Sequence, residues 1–254
     1  MQNDKQIAYI LGTKAQFIKS KFILKYLIDE GYELTVLDTG QHRLITKKEL
    51  ELFNKKYSYF NLVESNKNIS SISAMIVWFF KIIFFKNVSF KNKDIKYCLV
   101  HGDTVSTLLG LIIAKRNKLN IIHIEAGYKS NNWFKPFPEE IIRSIVSKYS
   151  NIVSVDNEEC FKNIRNKKDK KFIRLQKNTI YDAVLNSLEK VVLDKKNTLT
   201  VTVHRTENIY DKKQLKKFVD LLISISDLNL FESINWYCHD ITKSAIEKYN
   251  YEKK

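Results

Sequence analysis

The feature that most constrains this chain is a repeated unit: a short apolar run, a polar turn, then a longer amphipathic stretch. Residues 7–11 run into Gly12-Thr13, and 34–37 into Asp38-Thr39-Gly40. Residues 97–100 run into His101-Gly102-Asp103-Thr104, and 121–124 into Glu125-Ala126-Gly127. Short, continuous apolar runs suit strands buried on both faces. Between them the spacing is helical, as in Phe17, Ile18, Phe22, Ile23, Tyr26 and Leu27. Strands alternating with helices predict an α/β fold, with a parallel sheet covered on both faces.

The same alternation continues to the end of the chain. Further strands are predicted at 152–155, 172–175, 199–203 and 234–238. Helices are predicted at 47–53, 69–85, 105–116, 139–149, 158–164, 179–190 and 212–226, and residues 86–96 read as a loop. The charged run 166–171 (NKKDKK) is the best linker. It divides the chain into an expected domain 1–168 and a shorter domain 169–254 with about three strands, a small sheet by itself.

Composition narrows the partners. Lys and Arg number 43 against 28 Asp and Glu, a net charge of +15. The excess is mostly scattered Lys with no basic stripe interleaved with aromatics, so nucleic acid is not an expected partner, while a phosphorylated small molecule fits. Cys98, Cys160 and Cys238 lie far apart and read as free thiols of a reducing compartment. The N-terminus is polar, without a secretory pattern, and a cytoplasmic location is expected. The most apolar run, 74–85, is broken by Lys81 and falls short of the roughly 20 residues a membrane span needs. Docking of Trp78, Phe79 and Phe84 at a membrane surface is the weaker alternative.

The polar turns hold the candidate chemistry, because α/β proteins place their sites at strand ends. Lys14 and Lys19 flank the first turn. This turn reads equally as a phosphate cradle at a helix N-terminus or as a plain strand-to-helix turn. Asp103 and Glu125 are separated by about one βα unit, so neighbouring strands would present them side by side. Pro136 and Pro138 stiffen the loop that leads to Glu139, which opens a helix. Each feature also has a structural reading: Thr104 or Asp103 as a helix cap, Glu139 as a first-turn acid beside the helix dipole, and His42 as a surface histidine.

Taken together, GTK 12–14, TGQHR 39–43, HGDT 101–104, HIEAG 123–127, PFPEE 136–140, NTIYDA 178–183 and HRTEN 204–208 resemble the non-hydrolysing UDP-N-acetylglucosamine 2-epimerases. The resemblance runs from about Ile7 to about His239. It implies two Rossmann-like parallel-sheet domains of glycosyltransferase-B type, with the second incomplete and the active site between them. It also implies inversion at C2 of a UDP-N-acetylhexosamine by elimination and re-addition of UDP, feeding surface polysaccharide synthesis. No cofactor and no metal are implied, and a homodimer is expected.

On this resemblance Asp103, Glu125 and Glu139 are the catalytic carboxylates, with acid and base left unassigned, and His204 assists at the phosphates. Lys14 and Lys19, with Arg43, His42 and Arg205, form the substrate-binding set. Two departures stand out. Lys14-Ala15-Gln16 replaces the family's Arg-Pro-Glu, and Gly127 is the last glycine, so no later glycine-rich turn holds the nucleotide. The resemblance therefore implies a C-terminally truncated member. The alternatives are an inactive homologue that binds or oligomerises, and a UDP-sugar glycosyltransferase on the same fold.

Overall fold

The computed structural model describes residues 5–42, 53, 57–63, 69, 72–85, 88–90, 94–130, 132, 137–166, 170–188, 197–203, 206–238 and 240–251. The chain divides into two compact units, Met1–Lys190 and Val191–Lys254.

The first unit is built on a seven-stranded sheet, with strands β1 (Gln6–Leu11), β2 (Glu33–Asp38), β3 (Tyr57–Asn61), β4 (Ile95–His101), β5 (Asn120–Ile124), β6 (Ile152–Val155) and β7 (Lys171–Arg174). Their spatial order is β3-β2-β1-β4-β5-β6-β7, and every pair is parallel. Strand β1 shows why the apolar runs do not alternate. Ala8 and Ile10 pack into one buried cluster, while Ile7, Tyr9 and Leu11 pack into another on the opposite face. Both faces are therefore apolar, as helix-covered parallel sheets require.

The order of strands reverses at β1. Connections after β1 lead outward through β2 to β3, and the chain then returns to β4 on β1's other side. Such a reversal opens a crevice at the carboxyl ends of the two strands. The turns after β1, β4 and β5 meet there.

Two elements differ from the sequence expectation. The edge strand β3 was not foreseen: Tyr57 and Tyr59 are half-buried between exposed Ser58 and Phe60, and the apolar content is aromatic rather than aliphatic. The division between compact units falls at Lys190 rather than at 168, because β7 pairs with β6 from Ile152↔Lys171 to Val155↔Arg174. The charged run precedes an edge strand instead of leaving the sheet. The predicted helix at 47–53 lies outside the described residues except for Phe53.

The helix Ile72–Phe85 also corrects an expectation. Trp78 is buried and its indole N–H donates to the Thr39 carbonyl at 2.8 Å, so it is not available to a membrane surface. Among the described residues, no helix is long and apolar enough to cross a membrane.

Among the described residues, the second unit has two parallel strands, β8 (Thr198–Val201) and β9 (Ser233–Trp236). Its small core joins Ile209, Leu215 and Ala245, with Val203 and Trp236 against them.

Candidate active site

A cavity of about 330 Å³ opens where the turns after β1, β4 and β5 converge, and Lys19, Asp103, Glu125 and Arg143 line it. Strands β4 and β5 are neighbours in register, His101 against Ile124. Asp103 and Glu125 therefore emerge side by side, as their spacing predicted.

Glu125 follows β5 in a left-handed conformation (φ 60°), which costs a non-glycine residue about 1 kcal/mol. Its N–H donates to Ser154 Oγ at 3.2 Å. The side chain is 5% exposed, and its Oε2 accepts from Lys19 Nζ at 2.7 Å. The hydroxyl of Thr179 donates to Oε1, and His101 Nε2 lies 3.7 Å from that oxygen. Burial alone would raise the carboxyl pKa, but His101, which is protonated in the acid range where Glu125 titrates, together with Lys19 and Thr179 outweighs it, and Glu125 is held below the usual carboxylate range.

Asp103 has a different partner. Arg143, on the helix Glu139–Tyr149, binds Asp103 through one guanidinium nitrogen and Glu140 Oε2 at 2.9 Å through another. Glu140 also accepts the Ser130 N–H at 3.0 Å, which ties the 128–130 segment to the helix. Two carboxylates facing one space are thus each matched with a separate cation.

Two buried histidines brace these turns. His123 is fully buried, with Nε2 2.7 Å from the Gly102 carbonyl and Nδ1 3.2 Å from Ser147 Oγ. A carbonyl only accepts, so the proton is on Nε2 and Ser147 donates to Nδ1. Burial lowers both His101 and His123 to about 4, so both rings are neutral near pH 7.

The first turn is a strand-to-helix turn whose own side chain has taken its donors. Gln16 Oε1 accepts the N–H groups of Gly12 and Thr13, each at 3.1 Å. Its Nε2 lies 2.8 Å from the His101 carbonyl, 2.9 Å from Thr104 Oγ1 and 3.0 Å from Thr107 Oγ1, and its two protons are shared among these three acceptors. These two backbone donors are therefore unavailable to a phosphate, which favours the plain-turn reading. An ionised glutamate at 16 has no proton to donate to these acceptors, so Gln fits this turn. Gly12 is required for the close approach. A Cβ there would lie 1.9 Å from Ser106 Oγ.

Lys14 is exposed on the first turn of its helix and does not line the cavity. Glu139 opens its helix half-buried and outside the cavity lining, with a buried Oε2 that has no partner among the described residues. His42 is half-buried beside Asp38. Arg43, His204 and Arg205 lie outside the described residues. Sequence reasoning gave no role to Gln16 or Glu140, and Thr179 entered only as part of the NTIYDA 178–183 motif, with no role of its own. In the structure Asn178 Nδ2 donates to Tyr128 Oη (3.0 Å) and Asp156 Oδ2 (2.8 Å), and Thr179 reaches Glu125.

The model of the family described as UDP-N-acetylglucosamine 2-epimerase matches residues 27–253. A UDP-N-acetylglucosamine 2-epimerase of Campylobacter jejuni is 30% identical over 218 residues, covering 85% of this chain and 55% of that protein. The chain thus spans about half of that relative's length. The Methanocaldococcus jannaschii UDP-GlcNAc 2-epimerase, solved in complex with UDP-GlcNAc and UDP, superposes with a TM-score of 0.75 at 24% identity, covering 98% of this chain and 70% of that one. The Neisseria meningitidis UDP-GlcNAc 2-epimerase, solved bound to UDP-GlcNAc, gives 0.75 at 23% identity, covering 97% and 70%. These two likenesses establish the shared fold.

Proposed function

Because the chain belongs to the UDP-N-acetylglucosamine 2-epimerase family, we propose that it inverts C2 of a UDP-N-acetylhexosamine, with UDP-N-acetylglucosamine as the expected substrate. The observation that carries this reading is the pair Asp103 and Glu125 in one cavity, each held by its own cation.

The reaction needs a base for the weakly acidic C2 proton and an acid for the other face. The C2–H electrons become a C1–C2 double bond as the bond from C1 to the UDP oxygen breaks, and UDP leaves with that electron pair. A proton then returns to C2 on the opposite face, and the UDP oxygen re-forms its bond to C1. Asp103, Glu125 and Glu139 are the candidate proton carriers. Lys19 stands close enough to Glu125 to sense a change in its charge. Fixed cations also favour a departing diphosphate, the role proposed for Lys14, Lys19, Arg43 and Arg205 together with His42, with His204 at the phosphates.

We also propose a cytoplasmic homodimer that supplies precursors for surface polysaccharide. Free Cys98, Cys160 and Cys238 support a reducing compartment. The helix Ile72–Phe85 exposes Ile76, Val77, Phe80 and Phe84 along one side, a stripe suited to burial against a second copy.

The test is incubation with UDP-N-acetylglucosamine in D2O, followed by NMR. Deuterium at C2 together with the manno epimer is expected. A folded protein that shows neither overturns the reading.

A further inference from the structure

Thr179 stands 54 residues from Glu125 in sequence and lies in the NTIYDA 178–183 motif without a chemical role assigned to it, yet its hydroxyl donates to Glu125 Oε1 inside the first unit. We propose that Thr179 is the positioning residue that fixes the direction and ionised state of the Glu125 carboxylate, and that His101 orients the Thr179 hydroxyl for this task. The inference deepens the epimerase reading and rests on it only for the consequence in turnover.

The hydrogen-bond directions follow from counting protons. A threonine hydroxyl has one proton, and here it goes to Glu125. His101 Nε2 lies 3.2 Å from Thr179 Oγ1, so that contact has the imidazole N–H donating to the hydroxyl oxygen. His101 itself stands 3.7 Å from Glu125 Oε1, beyond hydrogen-bond reach. Thr179 closes that gap, and a chain runs from His101 through Thr179 to Glu125.

Glu125 needs such an anchor. It lies past the end of β5 in a left-handed conformation, so the strand ladder does not set its side-chain direction. Lys19 holds Oε2, but its side chain is 33% exposed and hangs on a flexible stem. Thr179 is 3% exposed and β-branched, with few rotamers. Its neighbour Asn178 is pinned to Asp156 and Tyr128, so the backbone under the hydroxyl is tied to the end of β6. The charged and titratable groups facing Glu125 are Lys19 from the first helix and His101 from β4. Asp103 and Arg143 line the same cavity. Thr179 is the neutral donor among them, and its removal leaves every charge in place.

The test uses the full chain labelled with 13C at glutamate carboxyl carbons, with the Glu125 signal identified by its loss in Glu125→Gln. Thr179→Val keeps the volume and removes the hydroxyl, and Thr179→Ser keeps the hydroxyl. The Glu125 titration midpoint is expected to rise by about 0.5–1 pH unit in Thr179→Val and to return to the wild-type value in Thr179→Ser. Deuterium wash-in at C2 of UDP-N-acetylglucosamine is expected to lose about tenfold in kcat in Thr179→Val with little change in KM. An unchanged Glu125 midpoint in Thr179→Val overturns the positioning role. Absence of exchange in the wild type overturns the epimerase reading, and the titration still decides the role of Thr179.

Discussion

Lys19 Nζ lies 2.7 Å from Glu125 Oε2, a contact between residues 106 positions apart. The helix Lys14–Asp29 brings a cation to a carboxylate that is otherwise nearly closed off from water. Lys19→Met removes the ammonium and leaves Glu125 less well paired. Because Lys19 is one-third exposed, solvent screening limits the loss, and about 1–2 kcal/mol of stability should disappear. Urea unfolding of Lys19→Met, Glu125→Gln and the double variant measures it. A coupling energy near zero would contradict the pairing.

Asp103→Asn and Glu125→Gln should each lower C2 exchange by about 10²–10⁴-fold, the range for loss of a positioned acid or base. Both replacements keep side-chain size, so circular dichroism and melting should show a folded protein. Wild-type exchange in both variants would remove these carboxylates from the chemistry.

Two glycines should respond differently to alanine. At Gly12 the added methyl would lie 1.9 Å from Ser106 Oγ and 2.2 Å from Ser106 Cβ, both side-chain atoms. Gly12→Ala is expected to cost about 2–4 kcal/mol, and Ser106→Gly in the same chain should recover part of it. At Gly127 the obstacle is the Cys160 carbonyl oxygen, 2.3 Å from the added carbon, and φ is +89°. No side-chain truncation relieves a backbone clash, so Gly127→Ala should have no such partner. Thermal melts of the single and double variants decide.

The exposed stripe on the helix Ile72–Phe85 gives a test of assembly. Val77 is 68% and Phe84 70% exposed, so charges there leave the first unit's core intact. The double variant Val77→Glu, Phe84→Glu should melt like the wild type and run as a monomer in light scattering. A dimer of unchanged mass would place the interface elsewhere.

Stability should fall on mild acidification. His101 and His123 have folded values of about 4, below the ordinary 6.5, because burial disfavours the imidazolium. Between those values the unfolded chain binds more protons, so stability rises with pH. It is lost as pH falls from about 6.5 towards 4, at a slope of about 1.4 kcal/mol per pH unit for each histidine. Glu125, also held low, adds a loss of the same sign below its unfolded value. Urea midpoints from pH 7.5 to 5 check the slope, and a flat profile would show that these rings are not buried neutral.

Much of the frame was legible in the sequence. Continuous apolar runs at 7–11, 97–100 and 121–124 encode strands buried on both faces, and Thr104 caps the helix that follows the second of them. The spacing from Asp103 to Glu125 predicted adjacent strand ends, since one βα unit carries the chain to the neighbouring strand. Local signals failed where a longer-range partner mattered. The charged run at 166–171 carries no sign that β6 is waiting for an edge strand. Nothing near Gln16 says that both protons of its amide will be used on the β4–helix turn.

What the sequence determined by itself is the set of strand-end residues, because hydrophobic period and turn chemistry act within a few residues. What only the tertiary structure decided is how those residues are paired: Glu125 with Lys19 and Thr179, Asp103 with Arg143, and His101 with Thr179. Each of those contacts joins separate βα units, and its geometry exists only once the sheet has set their order.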